Sequence, residues 1–283
     1  MSNPQLDKEQ TYRIALALEY VGASYSGWQK QSAPQLNTVQ HELEQALSKI
    51  ADHKVTVSCA GRTDSGVHAT CQVVHFECKI DRGEKAWVIG SNSILPPDIR
   101  VVWARNVSDD FHARFSALFR RYQYVILEGK VESAILAGRV TQQRPGLDHH
   151  AMNEAAQLLL GERDFTSFRA AGCQSKTPNR NVHAVSVTRS GNFVLLDIQA
   201  NAFLQHMVRN IAGSLLSIGR GEQDPRWIGQ LLDARDRGKA GVTASPDGLY
   251  LVGVGYPAEF NLPDCLIFPP TNSPPINNPP INN

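Results

Sequence analysis

Residues 59–69 read CAGRTDSGVHA, with Asp64 placed where an apolar segment gives way to Ser65-Gly66. A carboxylate in that position either bonds its own backbone to shape a turn or acts on a substrate. Three functional readings compete with the turn. An aspartic protease carries D-[ST]-G but needs two of these carboxylates sharing one proton; this chain has a single copy, and the flanking R-T and V-H-A do not suit a dry pair of acids. A serine hydrolase would hold Ser65 in a G-x-S-x-G elbow, which is absent. The third is a single nucleophilic carboxylate. It must stay ionised, and a nearby cation favours that state.

A candidate cation lies far along the chain. From Phe203 to Gly219, Leu204, Met207, Val208, Ile211, Ala212, Leu215, Leu216 and Ile218 recur around a helix, which predicts a buried element. Arg209 falls inside it. A guanidinium there needs a partner, because an unpaired buried charge costs several kcal/mol. Asp197, a structural glutamate and Asp64 all remain open as that partner.

These residues need elements to position them. YRIALALEY (12–20) places Tyr12, Ile14, Leu16, Leu18 and Tyr20 on one face at period two, the mark of a strand. A helix follows in 37–50, capped by Asn37 or Thr38, with Val39, Leu43, Ala46, Leu47 and Ile50 at helical spacing. KVTVSCAG and QVVHFECKI read as two more strands. The second half has a similar pattern, with a strand at RRYQYVILEG, a helix in HHAMNEAAQLLLG with His149 and His150 solvated at its start, and a hairpin turning at Ser190-Gly191-Asn192. The buried helix, a further helix in PRWIGQLLDAR and a last strand, GLYLVGVGY, complete it. The expectation is an α+β fold of two similar halves, 1–110 and 111–262, whose mixed, mainly antiparallel sheets carry helices on one face. Residues 263–283 repeat Pro and Asn and predict a disordered tail.

Charge is close to balanced, 28 basic against 27 acidic residues, but residues 111–283 carry 17 basic side chains of which 14 are arginine. Arginine suits bidentate phosphate contacts. The five cysteines show no CxxC pair and no zinc spacing, which predicts a reducing compartment and no structural metal. The polar N-terminus lacks a signal core and no apolar run reaches membrane-spanning length, so a cytoplasmic location without membrane contact is expected.

GRTDSGVHA together with GWQ (27–29), FHARFSA (111–117), RRYQY (120–124), DFTSFRAAGCQS (164–175), FLQHMVRNIAGSL (203–215) and GLYLVGVGY (248–256) resembles the TruA-type tRNA pseudouridine synthases, in order from about Tyr12 to Tyr256. The resemblance implies the pseudouridine synthase fold with a central cleft, and an isomerase that turns uridines 38, 39 and 40 of the tRNA anticodon stem-loop into pseudouridine, as a homodimer and without cofactor or metal. It implies Asp64 as nucleophile, Arg209 as its basic partner, and Tyr122 as the ring that packs on the uracil. Arg62 then helps turn out the base. Arg82, the stretch Phe111, His112, Ala113, Arg114 and Phe115, and the stretch Gly172, Cys173, Gln174, Ser175 and Lys176 fall where members touch tRNA. One departure stands out: the usual Y-D-G is Tyr20-Val21-Gly22 here.

The chemistry asks for such a set. The C1′–N1 bond breaks, the uracil turns over and C5 joins C1′, so water must stay out and one charged carboxylate suffices, unlike the two of a glycosidase. Asp64 attacks C1′ or C6, or removes a sugar proton; the three remain open. Tyr122 is either a stacking platform, with a hydroxyl that helps take the C5 proton, or a core tyrosine of an alternating strand. His68 reads as a structural hydrogen-bonding residue. Arg114, Arg120, Arg121 and Arg169 are candidates for a basic path along the stem. The rival reading is a non-catalytic tRNA stem-loop binding protein.

Overall fold

The computed structural model describes residues 11–30 and 36–265. The predicted tail therefore lies outside the described residues except for 263–265.

Ten strands and five α-helices occur among the described residues: β1 (Tyr12–Tyr20), α1 (Val39–Ala51), β2 (Ser58–Cys59), β3 (His68–Cys78), α2 (Glu84–Ile94), β4 (Ile99–Val107), β5 (Phe119–Glu128), β6 (Thr141–Gln143), α3 (His149–Gln157), β7 (Gly161–Asp164), β8 (Asn179–Ser190), β9 (Phe193–Ala200), α4 (Met207–Gly219), α5 (Trp227–Ala234) and β10 (Leu249–Gly255). They form one mixed sheet in the order β4-β1-β3-β10-β5-β9-β8-β7, with β2 beside β3 and β6 beside β5. Among the described residues only the β3–β10 and β5–β6 pairs are parallel. The last strand in sequence is thus the central one: β10 joins the strands before residue 111 to those after it, pairing Leu251 with Ala69 on one side and Tyr122 on the other.

All five helices pack on one face, as the period-two pattern of the strands requires. Ile14, Leu16 and Leu18 of β1 and Tyr122, Tyr124 and Ile126 of β5 meet Leu43, Trp87, Met152, Leu215 and Ile228 there. The other face is not left to solvent. Ala15, Ala17 and Val73 are covered by Phe111, Tyr256, Phe260 and Leu262, so β1 is buried on both sides from Ile14 to Leu18. That cover also brings Cys265 onto β3, where it is bonded to Cys71. The bond departs from what a reducing compartment, the expectation from the cysteine spacing, implies for Cys71 and Cys265: a segment at the end of the described chain lies across the sheet, a juxtaposition that no local spacing announces.

Thr38 is the cap of α1, its Oγ1 accepting the His41 N–H at 3.4 Å. Helix α4 begins at Met207 rather than Phe203, because His206 takes a left-handed conformation with φ 61° and ψ 3°. Helix α2 and strand β4 add to the elements expected from sequence; Trp87, Ile99 and Val101 bury them.

Candidate active site

The D-S-G turn is closed by backbone atoms, and its carboxylate is left for another task. Val67 N–H donates to Asp64 O at 3.2 Å. Gly66 stands at φ 81°, a value that only glycine adopts without strain. Ser65 Oγ donates to Tyr25 O at 3.1 Å. The GWQ motif presses on the same peptide from behind. Trp28 N–H donates to Thr63 O at 3.0 Å, and at Gly27, φ 97°, a Cβ would stand 2.9 Å from Thr63 O and 3.1 Å from the Asp64 carbonyl carbon. The hydroxyls of Tyr20 and Thr63, 2.8 Å apart, fix the other side.

The start of α4 faces that carboxylate. Arg209 Nη1 lies 3.6 Å from Asp64 Oδ2 and His206 Nε2 lies 3.5 Å from the same oxygen. Arg209 is held by Ala244: its Nε donates to Ala244 O at 2.8 Å, and Ala244 N–H donates to Arg209 O at 3.1 Å. Among the partners left open by the sequence, Asp197 is engaged elsewhere. Arg121 binds it in a two-pronged pair of 2.8 and 2.7 Å, and Gln123 Nε2 donates to it at 2.8 Å. A cation in the first turn of a helix opposes the helix dipole, and the Asp64 carboxylate at that end offsets both.

Tyr122 reaches the same place from β5, buried, with its ring edge-on to Phe203 at 5.1 Å between centroids. Burial, and next the charge of Asp64, push its phenol well above the ordinary value. The hydroxyl is therefore protonated at neutral pH. His68 has a structural place. Gly22 N–H donates to its Nδ1 at 3.0 Å, which puts the ring proton on Nε2, 3.1 Å from Asp247 O, and burial lowers its pKa. Val21 precedes that contact, its N–H donating to Asp98 O at 3.0 Å.

The residues expected along the RNA divide into two groups. Arg62 is exposed beside Asp64, and Arg114 and Phe115 are exposed on the 111–115 loop. Phe115 is 76% exposed, with the Arg114 guanidinium 5.7 Å from its ring centre and the His112 ring at 4.3 Å. Phe111 and Ala113, by contrast, are fully buried. Phe111 packs on Tyr256 and Phe260, and Ala113 N–H donates to His75 Nδ1 at 3.1 Å; their side chains anchor the loop rather than meet solvent. Gly172, Gln174 and Lys176 are exposed, with Cys173 and Ser175 half-buried. Arg169 grips this second loop from inside, donating to Cys173 O and Ser175 O at 2.7 Å.

Arg120 and Arg121 do not form part of a surface path. Both are buried. Arg120 ties four carbonyls together, those of Ala60, Arg114, Ala117 and Asn201, at 2.5 to 3.2 Å. Arg82 follows the end of β3 opposite to the one that the Asp64 turn precedes, a strand of 11 residues.

His206, not among the residues expected from sequence, is brought within 3.5 Å of Asp64 Oδ2. Its three-residue spacing from Arg209 was the available signal. Among the described residues no three His, Cys, Asp or Glu side chains converge as a metal ion needs, and no helix is long and apolar enough to cross a membrane. A cavity of about 490 Å³ lies beyond the segment that holds Arg209, walled by Thr141, Ser217, Arg220, Ala244 and Asp247, and Asp64 is not part of its lining.

A family model described as tRNA pseudouridine synthase matches residues 16–116 and 155–257. The tRNA pseudouridine synthase A of Tolumonas auensis is 57% identical over 251 residues, 89% of this chain and 95% of the relative. The proteins of the same name from Pasteurella multocida and Vibrio vulnificus are 55% identical over 257 residues and 56% over 251, spanning 91% and 89% of this chain and 97% and 94% of their own lengths.

Proposed function

Because the chain belongs to the tRNA pseudouridine synthase family, we propose that it isomerises uridine to pseudouridine at positions 38, 39 and 40 of the tRNA anticodon stem-loop, with Asp64 as nucleophile. The observation that carries this reading is the carboxylate of a turn that needs no side chain, faced by Arg209 at 3.6 Å. Arg209 offsets the negative charge that a carboxylate nucleophile carries.

The proposed steps use these side chains in turn. A target uridine leaves the stem at a cost of a few kcal/mol, and exposed Arg62 beside the turn fills its place. The uracil stacks on the Tyr122 ring, a contact of about 1 to 3 kcal/mol. Asp64 starts the reaction, the C1′–N1 bond breaks with its electron pair going to N1, the base turns over, C5 bonds C1′, and the proton lost from C5 is balanced by the one that N1 takes up, so nothing is added or lost. Arg114 and Phe115, with the exposed members of 172–176, hold the stem by charge and stacking. No metal or cofactor takes part.

Residues 1–110 and 111–262 act as two halves that meet at β10, where the reacting groups gather. The protein works as a homodimer in the cytoplasm, where its substrate is. Exposed Val131, Ile135 and Val242 support the dimer as apolar surface available for burial. Incubating the purified protein with unmodified tRNA and mapping pseudouridine by mass spectrometry tests the reading. Conversion confined to 38–40 is expected; conversion elsewhere, or none, refutes the assignment.

A further inference from the structure

We propose that His206 is a positioning residue for the reaction, holding Oδ2 of Asp64 together with Arg209 so that Oδ1 is presented to the target nucleotide. The inference rests on the reading of Asp64 as nucleophile.

Two independent observations carry it. The first is conformational. His206 stands at the N-cap of α4 with φ 61° and ψ 3° and makes no side-chain capping bond. A non-glycine residue in this region is strained by about 1 kcal/mol or more, and serine, threonine, aspartate or asparagine would have capped the helix. The position therefore forgoes both local advantages. The second is where the ring goes. Its Nε2 lies 3.5 Å from Asp64 Oδ2, the oxygen that Arg209 Nη1 approaches at 3.6 Å. Two side chains approaching one carboxylate oxygen restrict the rotation of the acid about its χ2 axis more than either does alone. His206 and Arg209, three residues apart around the helix start, converge on one atom. The side chain is about one-third exposed.

Replacing the imidazole should thus cost turnover and not folding. In His206→Gly the left-handed backbone is relaxed, so the melting temperature should stay level or rise. The single-turnover rate of pseudouridine formation should fall about tenfold or more, as for loss of one bond to a charged group. The Kd for tRNA should hold within about twofold. Added imidazole should restore part of the rate, and His206→Gln, which keeps a donor at similar reach, should retain more activity than His206→Gly. A purely structural role moves none of the imidazole response. The inference is overturned if His206→Gly reacts at the wild-type rate, if its loss tracks a lower melting temperature or weaker tRNA binding, or if imidazole has no effect. Asp64→Asn in the same assay separates the two readings. Full activity there removes the nucleophile and this proposal together, whereas an inert Asp64→Asn beside a fully active His206→Gly removes the role of His206 alone.

Discussion

Arg209 Nη1 and Asp64 Oδ2 lie 3.6 Å apart although 145 residues separate them in the chain. The contact joins the turn before β3 to the start of α4, on either side of the parallel β3–β10 junction. Each group answers the other's difficulty: the carboxylate gains a cation that favours its charge, and the guanidinium, 15% exposed, avoids isolation.

The peptide carrying Asp64 is set by a close approach that admits no side chain at position 27. Gly27→Ala places a methyl group 2.9 Å from Thr63 O at a backbone angle unfavourable to alanine. A loss of about 1 to 3 kcal/mol is expected in urea unfolding. The rate of the protein that remains folded should fall too, because the displaced group carries the acid.

Arg121 and Asp197 form a buried pair, 9% and 4% exposed. Breaking it from one side with Asp197→Asn should destabilise by about 3 to 5 kcal/mol, and joint replacement by apolar residues should cost less than the two single changes summed. The conversion rate per folded molecule should stay within about twofold, which denaturation curves and single-turnover assays report together.

The 111–115 loop alternates between anchor and contact. Phe111→Ala should cost about 3 to 5 kcal/mol of stability as a core truncation. Arg114→Ala should leave the melting temperature alone, weaken tRNA binding, and reduce the salt slope of binding by about one. Fluorescence titrations over a range of salt separate the two effects.

Acid should loosen the same loop. Burial, then His112 and Arg13, lower the pKa of His75 from 6.5 to about 4. The unfolded chain takes up a proton below pH 6.5 that the folded chain refuses until about 4. Stability therefore falls as pH drops through that window. Protonation also removes the acceptor for Ala113 N–H. His75→Gln should flatten the stability curve between those limits, measured by thermal unfolding in a buffer series.

Much of the fold is legible because apolar periodicity reports burial on one side: β1, α1, the β8–β9 hairpin and α5 all follow it. Where periodicity misleads, the reasons are physical. Ala15 and Ala17 look like the outer face of a strand, but small side chains let a second layer close over them. Consecutive Arg120 and Arg121 look like a basic patch, yet the pleat sends them to opposite faces, where each is buried with acceptors. The left-handed backbone of His206 leaves no mark in hydrophobic spacing, so spacing alone starts the helix too early and gives no sign of the contact with Asp64. Asp64 and Arg209 are visible in the sequence as a carboxylate at a turn and a buried cation needing a partner; that they meet is a fact of the fold.

The measurement closest to the centre of the account compares wild-type protein with Asp64→Asn on unmodified tRNA, reading pseudouridine by mass spectrometry and affinity by titration. The amide keeps the size and the turn, whose bonds are backbone bonds, and removes the anionic oxygen. Undiminished tRNA binding with no product is predicted. Normal product from Asp64→Asn would contradict the account.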